Sequence, residues 1–443
     1  MIQTQNSIDE LNRLDKKHFI HPTSSLKEQQ EKGPAIIFQK GEGVFLTDVN
    51  GKKYLEGMSS LWNVNIGYGR KELAEAAKQQ MEQLAYSSCF ATFSNEPAIR
   101  LAEKVAELTP GDLSGVFFTS GGSESNDTAY KLVRNYWKLK GQPQKNKIIS
   151  RNAAYHGVAL GSTSATGIEV FQNFTTVKAP GFIHIEPLST DALKEAIAKE
   201  GADTIAAFIA EPIQGAGGVI TPPEGYFEEV RRICDEHDIL FIADEVITGF
   251  GRTGKMFACE HWGVVPDVML IAKGITSGYQ PLGAVVFREK IHQELIDLTE
   301  GVLLHGFTYS GHATACAVAL KNIEIIQKEE LVENSRKMGT YLLEGLKNLE
   351  QEIDIVSDVR GLGLIAGIEI VRNKQTKERF EVKMSQRIIE EARSRGLILR
   401  NVVFGDMDTI VFCPPLIINK EEIDELLSIL RSSILEAKRQ YEK

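Results

Sequence analysis

Apolar runs of strand length alternate with helical patterns between about Leu101 and Val286. The runs are continuous rather than alternating, which is typical of strands buried on both faces of a largely parallel sheet. They are GVFFTS, NKIIS, IAAFIAEP, ILFIADEV, VMLIA and GAVVF. The pattern predicts an α/β domain in the central part of the chain.

Different patterns flank this central part. Residues 43–57 predict a hairpin that turns at Asn50-Gly51, because this dipeptide favours tight turns between strands. A long helical stretch, further strand-like runs and a final amphipathic helix follow the centre. Strands and helices at both termini favour a smaller α+β domain assembled from the two ends of the chain. We therefore assign residues 1–60 and 331–443 to the small domain and residues 61–330 to the large one.

Composition and charge narrow the classes of function. Of the 443 residues, 42% are apolar and 25% are charged, which is ordinary for a folded protein. Acidic residues outnumber basic ones by 60 to 50, and no basic block could follow a phosphate backbone. We therefore expect no nucleic acid as a partner. The five scattered cysteines form no C-x-x-C pair, so neither a metal site nor a disulfide scaffold is predicted.

Hydropathy bears on the location of the protein. No stretch approaches the roughly 18 apolar residues that a membrane-spanning helix needs. The N-terminal residues MIQTQNSIDELNRLDKKHF are polar and lack the apolar core of a signal peptide. The sequence therefore predicts a cytoplasmic protein without a membrane anchor.

A glycine-rich turn joins a predicted strand to a predicted helix within residues 115–137. Its residues are Ser120, Gly121, Gly122 and Ser123. Glycines at such a junction let backbone N–H groups approach an anion, and the helix N-terminus favours negative charge. Taken alone, a helix cap with a tight turn explains the pattern as well as a phosphate site does.

Two charged residues follow buried strands. Asp244 ends ILFIAD, at the edge where open α/β sheets bind ligands, although a structural ion pair would explain it equally. Lys273 follows VMLIA and precedes a glycine-spaced loop, and a buried lysine needs a partner for its charge or loses the charge. Pyridoxal phosphate (PLP) would satisfy the turn, the acid and the lysine together, with its phosphate, ring nitrogen and aldehyde.

Seven motifs follow one another along almost the whole chain: SLWNVNIGYGR, FTSGGSESND, AAYHG, AEPIQGAGGVITPP, ADEVITGFGRTG, IAKGITSGYQPLGAV and HGFTYSGH. In this order they resemble the motifs of the class III PLP-dependent aminotransferases, a fold type I family. The resemblance is closest to enzymes that transfer amino groups from ω-amino acids or amines to pyruvate.

The resemblance implies roles around the cofactor ring. Lys273 would hold PLP as a Schiff base and then move a proton in a ping-pong reaction. Asp244 would pair with the ring nitrogen, while Val246 and Tyr155 would cover the two ring faces. Without the resemblance, Tyr155 would be interpreted as a core residue.

The resemblance also implies how the phosphate is bound. Gly121, Gly122 and Ser123 would bind it together with Thr308 of the partner subunit, because this family builds its site at a homodimer interface. Without the resemblance, Thr308 would be an ordinary loop residue.

Three further residues are implied in substrate binding. Arg400 would bind a substrate carboxylate or swing away for an uncharged amine, because its planar fork matches a carboxylate. Glu211 would neutralise it, and Trp62 would form a wall of the substrate pocket. A solvated arginine and a packed tryptophan are the structural alternatives.

Other functions share these motifs. A diaminopelargonate aminotransferase of biotin synthesis, with S-adenosylmethionine as donor, would carry an acid after Tyr-His-Gly, where this chain has Val158. An aminomutase would use the same cofactor residues. A catalytically silent PLP sensor would not need Lys273, and no DNA-binding appendage is present in the sequence. We therefore favour an aminotransferase that takes an amino donor and a keto acid.

Overall fold

The computed structural model describes residues 5–442, which form fifteen strands and fifteen α-helices. The strands are β1 (Phe38–Glu42), β2 (Phe45–Asp48), β3 (Lys53–Glu56), β4 (Leu113–Thr119), β5 (Lys147–Arg151), β6 (Phe182–Ile185), β7 (Ile205–Ala210), β8 (Leu240–Asp244), β9 (Val268–Ile271), β10 (Gly283–Arg288), β11 (Val356–Gly361), β12 (Ala366–Ile370), β13 (Leu397–Ile398), β14 (Arg400–Val402) and β15 (Thr409–Phe412). The helices are α1 (Gln5–His18), α2 (Leu26–Lys32), α3 (Ser59–Trp62), α4 (Lys71–Leu84), α5 (Glu96–Leu108), α6 (Gly122–Leu139), α7 (Leu160–Ala165), α8 (Glu169–Gln172), α9 (Thr190–Glu200), α10 (Tyr226–Glu236), α11 (Glu289–Leu298), α12 (Ala313–Lys328), α13 (Leu331–Glu352), α14 (Met384–Ser394) and α15 (Lys420–Tyr441).

The central sheet has seven strands in the order β4-β10-β9-β8-β7-β5-β6. Only β10 runs against its neighbours, and the other pairs in the sheet are parallel. Every residue of β7, β8 and β9 is buried, because helices cover both faces. The predicted mostly parallel sheet with strands buried on both faces is therefore confirmed.

Two four-stranded sheets flank the central one. The predicted hairpin is present, since β2 pairs antiparallel with β3. The C-terminal strand β13 then pairs in parallel with β3, with Leu397 opposite Leu55, so both ends of the chain share one sheet. The other sheet, β11-β12-β15-β14, is antiparallel. The exact domain boundaries given above stay a prediction.

The long helical stretch after the centre is divided into two helices, α12 and α13. The chain between them turns at Glu330, whose φ of 52° is left-handed. Apolar periodicity continues on both sides of this turn, so the pattern alone did not show the break. Over residues 5–442, no helix has the length and apolar character needed to cross a bilayer.

Glycines let α13 approach the turn between β11 and β12. A methyl group at Gly339 of α13 would overlap the backbone of Gly363, which itself has a left-handed φ of 60°. Gly363 in turn lies against the backbone of Thr253 in the large-sheet part of the chain. Residues 361–367, GLGLIAG, are therefore a site of close backbone packing.

This packing predicts that alanine substitutions at two glycines of α13 differ in their effect on the stability of the protein. Gly339→Ala should destabilise the protein by about 1–3 kcal/mol or more, because the new methyl meets backbone that cannot move aside. Gly345→Ala is the matched control, since its methyl meets only the side-chain end of Leu427. Denaturant unfolding of both variants measures the difference, and equal stability of the two would contradict this account of the turn.

Candidate active site

A cavity of about 110 Å³ lies at the carboxyl edge of the central sheet. Its wall combines residues that lie at the ends of β4, β5, β7, β8 and β9 or shortly after them. Parallel strands bring these carboxyl ends to one edge of the sheet. The lining residues are Gly122, Ser123, Asn126, Tyr155, His156, Gly157, Glu211, Asp244, Val246, Ile247 and Lys273. Seven residues that the sequence singled out are thus brought together.

Lys273 follows β9 at a point where the backbone is constrained. Its φ of 46° is left-handed, which is uncommon for a residue with a side chain. The next residue, Gly274, has no room for a Cβ, which would lie 2.7 Å from Nδ2 of Asn65. Removal from water lowers the pKa of Lys273, and the charges of Asp244 and Glu211 oppose this shift. A larger fraction of neutral amine is therefore available at the cavity than on a solvated lysine.

Asp244 is 4% exposed and accepts hydrogen bonds on both carboxylate oxygens. Oδ2 lies 2.8 Å from Nδ1 of His156 and 3.1 Å from Nδ2 of Asn126, which donates to it. Oδ1 accepts from the backbone N–H of Val246 at 3.2 Å. Three donors therefore surround this buried carboxylate. The cavity therefore has an anionic side.

The N-terminus of α6 forms another part of the cavity wall. No side chain caps this helix, and a Cβ placed on Gly121 would meet nothing within 4 Å. A Cβ on Gly122 would lie 3.0 Å from Cγ1 of Val246, so a side chain there would crowd the cavity. The Ser123 hydroxyl accepts from the backbone of Val158 at 3.1 Å. Free N–H groups at a helix start suit an anionic group such as phosphate.

Glu211 is buried directly after β7. Burial raises the pKa of Glu211 to about 7, although the neighbouring charge of His156 opposes the shift. Its two oxygens accept from the backbone N–H groups of Tyr155 at 2.9 Å and Gly215 at 3.0 Å. Glu211 thus fixes the backbone that carries Tyr155, whose ring contacts Phe171 with centroids 5.3 Å apart.

Four residues singled out in the sequence lie outside the cavity lining. Gly121 precedes it by one residue. Trp62 is 6% exposed and packs in a cluster that includes Ile247 of the lining. Arg400 is exposed at the start of β14, and Thr308 is exposed in a loop that is joined to Tyr86 by a hydrogen bond. The roles of these four residues in binding stay predictions.

The carboxyl group of Glu56, a residue not singled out in the sequence, lies close enough to Arg400 to feel its charge. Burial raises the pKa of Glu56, while the charge of Arg400 acts in the opposite direction. Glu56 lies opposite Ile398 in the β3-β13 pair, and Ile398 precedes Arg400 by two residues. Its oxygens accept from the N–H of Met58 and the hydroxyl of Tyr68. The proximity of Glu56 to Arg400 could not be predicted from the sequence, because it depends on strand pairing between the two ends of the chain.

Sequence reasoning missed His156 and Asn126, which both contact Asp244. His156 belongs to the motif AAYHG and adjoins Tyr155, so its position was a possible signal. Asn126 lies four residues after Gly122, so the two residues share one face of α6. Because helical side chains point toward the helix N-terminus, the side chain of Asn126 points toward the glycine turn. Within residues 7–442, no group of three or more His, Cys, Asp or Glu side chains is arranged to hold a metal ion.

Comparison with known proteins agrees with this geometry. Residues 26–434 match the family model for class III aminotransferases. The putrescine–pyruvate aminotransferase of Pseudomonas aeruginosa is 42% identical over 95% of each chain. The adenosylmethionine-8-amino-7-oxononanoate aminotransferase of Geobacter sulfurreducens is 38% identical over 95% of this chain and 96% of its own.

A solved structure is also similar. A transaminase from the marine bacterium Virgibacillus superposes with a TM-score of 0.96 at 54% identity, covering 98% of this chain and 100% of that one. The fold is that of the fold type I PLP enzymes, as predicted.

The donor set of the cavity fits the cofactor of such enzymes, which depend on PLP. The uncapped start of α6 suits its phosphate, Asp244 suits a protonated ring nitrogen, and the amine of Lys273 suits its aldehyde. Gly122, Asp244 and Lys273 all belong to the lining of this one cavity. The family match, the shared fold and this fit lead to one conclusion: the chain belongs to the class III aminotransferases.

Proposed function

We propose that the protein moves an amino group from an ω-amino acid or amine to pyruvate, in two half reactions that regenerate the enzyme. The observation that carries the proposal is that Lys273, Asp244 and the open start of α6 line one cavity. The similarity to the putrescine–pyruvate enzyme supports this choice of substrates. Enzymes of biotin synthesis are similar to a comparable extent, and Val158 argues against them because it provides no carboxylate.

Four lining residues would have a task in this reaction. PLP supplies, when bound, an electron-withdrawing ring that stabilises negative charge at the substrate carbon. Lys273 would hold the cofactor, and its amine would then take the proton from that carbon and pass it to the cofactor, not back to the same carbon, which requires the amine to be neutral. The lowered pKa of Lys273 favours this form. Asp244 would keep the ring nitrogen protonated, and Val246 and Tyr155 would cover the two faces of the ring.

Arg400 and Glu56 would sort substrates by charge. Arg400 binds the carboxylate of pyruvate or of an amino acid through its planar fork. When an uncharged group occupies the same place, Arg400 can face the nearby carboxyl of Glu56 instead. Glu211, the carboxyl that the resemblance implies for this role, already accepts two backbone hydrogen bonds.

We also propose that the protein acts as a homodimer in the cytoplasm. A groove of about 870 Å³ lies along residues 301–311 and includes the apolar side chains of Phe90 and Leu304. Leu304 is 90% exposed and Phe93 is 69% exposed, and neighbouring apolar side chains extend this surface. Exposed apolar patches of this kind are typical of interfaces. Thr308 lies in the same loop, from which it would reach the phosphate of the partner subunit's cofactor.

The first test removes the amine. Lys273→Ala should abolish the absorbance near roughly 410 to 430 nm of PLP held through a lysine and lower turnover at least about a thousandfold. Absorbance spectra and a coupled amine assay measure both effects. Lys255→Ala, at an exposed position outside the cavity, should behave as wild type. Turnover retained by the Lys273 variant would contradict its role.

The second test identifies the substrates. Purified enzyme is assayed with a diamine, an ω-amino acid and S-adenosylmethionine as donors, and with pyruvate, 2-oxoglutarate and the biotin precursor as acceptors. We expect the highest kcat/KM for a diamine or ω-amino acid with pyruvate. Activity confined to S-adenosylmethionine and the biotin precursor would instead establish the biotin function. Rearrangement of one substrate without net exchange with pyruvate would establish an aminomutase.

The third test addresses the sorting of substrates by charge. Arg400→Ala should lower kcat/KM for pyruvate and for amino acids by about 10- to 100-fold, because a charge-assisted pair to the carboxylate is lost. Simple amines, which have no carboxylate, should lose far less in single-turnover half reactions. Arg395→Ala, at a nearby exposed arginine, is the control. Equal losses for both kinds of substrate would refute the role of Arg400.

A further inference from the structure

Helix α6 places two buried polar residues behind Asp244. Asn126 is 1% exposed and Tyr130 is 2% exposed, and they follow Gly122 at intervals of one helical turn. Residues four apart lie on one face of a helix. One face of α6 therefore connects the glycine turn at its start with the carboxylate that ends β8.

The hydrogen bonds of Asn126 fix its amide in one orientation. Its Oδ1 accepts from the hydroxyl of Tyr130 at 2.8 Å. Its Nδ2 donates to Oδ2 of Asp244 and to the carbonyl of Gly122, both at 3.1 Å. A flipped amide would point an oxygen at two acceptors, so only this orientation satisfies all three partners. The Tyr130 hydroxyl supports this orientation by donating to Oδ1, the end of the amide that faces away from Asp244.

The surroundings of Tyr130 keep its hydroxyl protonated, so that it can donate a hydrogen bond. Burial raises the pKa of Tyr130 well above its ordinary value, and the charges of Asp244 and Asp127 act in the same direction, opposed by Arg134. Its ring packs edge-on against Phe182 with centroids 5.1 Å apart. The ring therefore has little freedom to turn its hydroxyl elsewhere.

We propose that Asn126 and Tyr130 are positioning residues that hold the carboxylate of Asp244 in one orientation at the cavity. The proposal rests on the proposed function, in which Asp244 holds the proton on the cofactor's ring nitrogen. Tyr130 acts through Asn126, and Asn126 acts on Asp244. Because α6 also begins at the glycine turn, one helix contacts both the proposed phosphate site and, through Asn126, the carboxylate of Asp244. The other titratable groups near Asp244 include His156, Lys273 and Glu211.

The test compares holoenzyme variants that remove one hydroxyl from α6. Tyr130→Phe should raise the dissociation constant of PLP, measured by titrating apoenzyme, by about tenfold, because a hydrogen bond that supports a charged group is lost. The pH midpoint of the bound cofactor's absorbance should also move upward. A ring nitrogen that holds its proton less firmly withdraws less electron density from the bond to Lys273, so that bond loses its own proton at a higher pH. The value of kcat should fall by about tenfold, with KM for the amine little changed.

The same helix provides the control. Tyr136 is also buried on α6, but its hydroxyl bonds to Glu294, away from the cavity. Tyr136→Phe should therefore match wild type in PLP affinity and in the absorbance midpoint. Asn126→Leu should reproduce the changes of Tyr130→Phe, and the double variant should be no worse than Asn126→Leu alone, because the two residues act in series.

Three outcomes overturn the inference. Unchanged PLP affinity and midpoint in Tyr130→Phe would remove both residues from this role while leaving the proposed function intact. Equal changes in Tyr136→Phe would show a general effect of helix stability, and additive losses in the double variant would show that Tyr130 does not act through Asn126. Wild-type protein that binds no PLP would overturn the proposed function itself, which distinguishes the two failures.

Discussion

The buried charge of Asp244 is the constraint on which the active-site region depends. A carboxylate that is 4% exposed loses most of its hydration, which costs several kcal/mol unless other groups replace the water. Here the replacements come from three parts of the chain: the ring of His156, the amide of Asn126 and the N–H of Val246. Segments far apart in sequence must therefore come together before this strand end is stable.

The parallel sheet makes that convergence possible. Because β5, β7, β8 and β9 run in one direction, the residues that follow them meet at one edge of the sheet. Lys273 takes a left-handed backbone conformation there, and Gly274 lets the chain pass close to Asn65. The well-packed sheet, whose strands β8 and β9 are fully buried, stabilises the chain enough to hold this unfavourable backbone conformation. A rigid core thus supports a reactive amine in a small cavity.

The sequence predicted the features that have a local signature. Lys273 and Asp244 interrupt or end apolar runs, and a polar residue at the end of a buried strand is visible without coordinates. The role of Asn126 was not visible, because its hydrogen bond joins positions 118 residues apart. The raised pKa of Glu211 depends on burial by distant segments, and the approach of Glu56 to Arg400 depends on pairing between the chain ends. The break at Glu330 left no interruption in the apolar pattern.

The central claim is that Lys273 is the one lysine that binds the cofactor in this cavity. Borohydride reduction of the PLP-loaded enzyme fixes the cofactor to the amine that holds it, and peptide mass spectrometry then locates the label. We predict stoichiometric label on the peptide that contains Lys273 and on no other. Label on a different lysine, or no stable label after reduction of protein that has bound PLP, would contradict it.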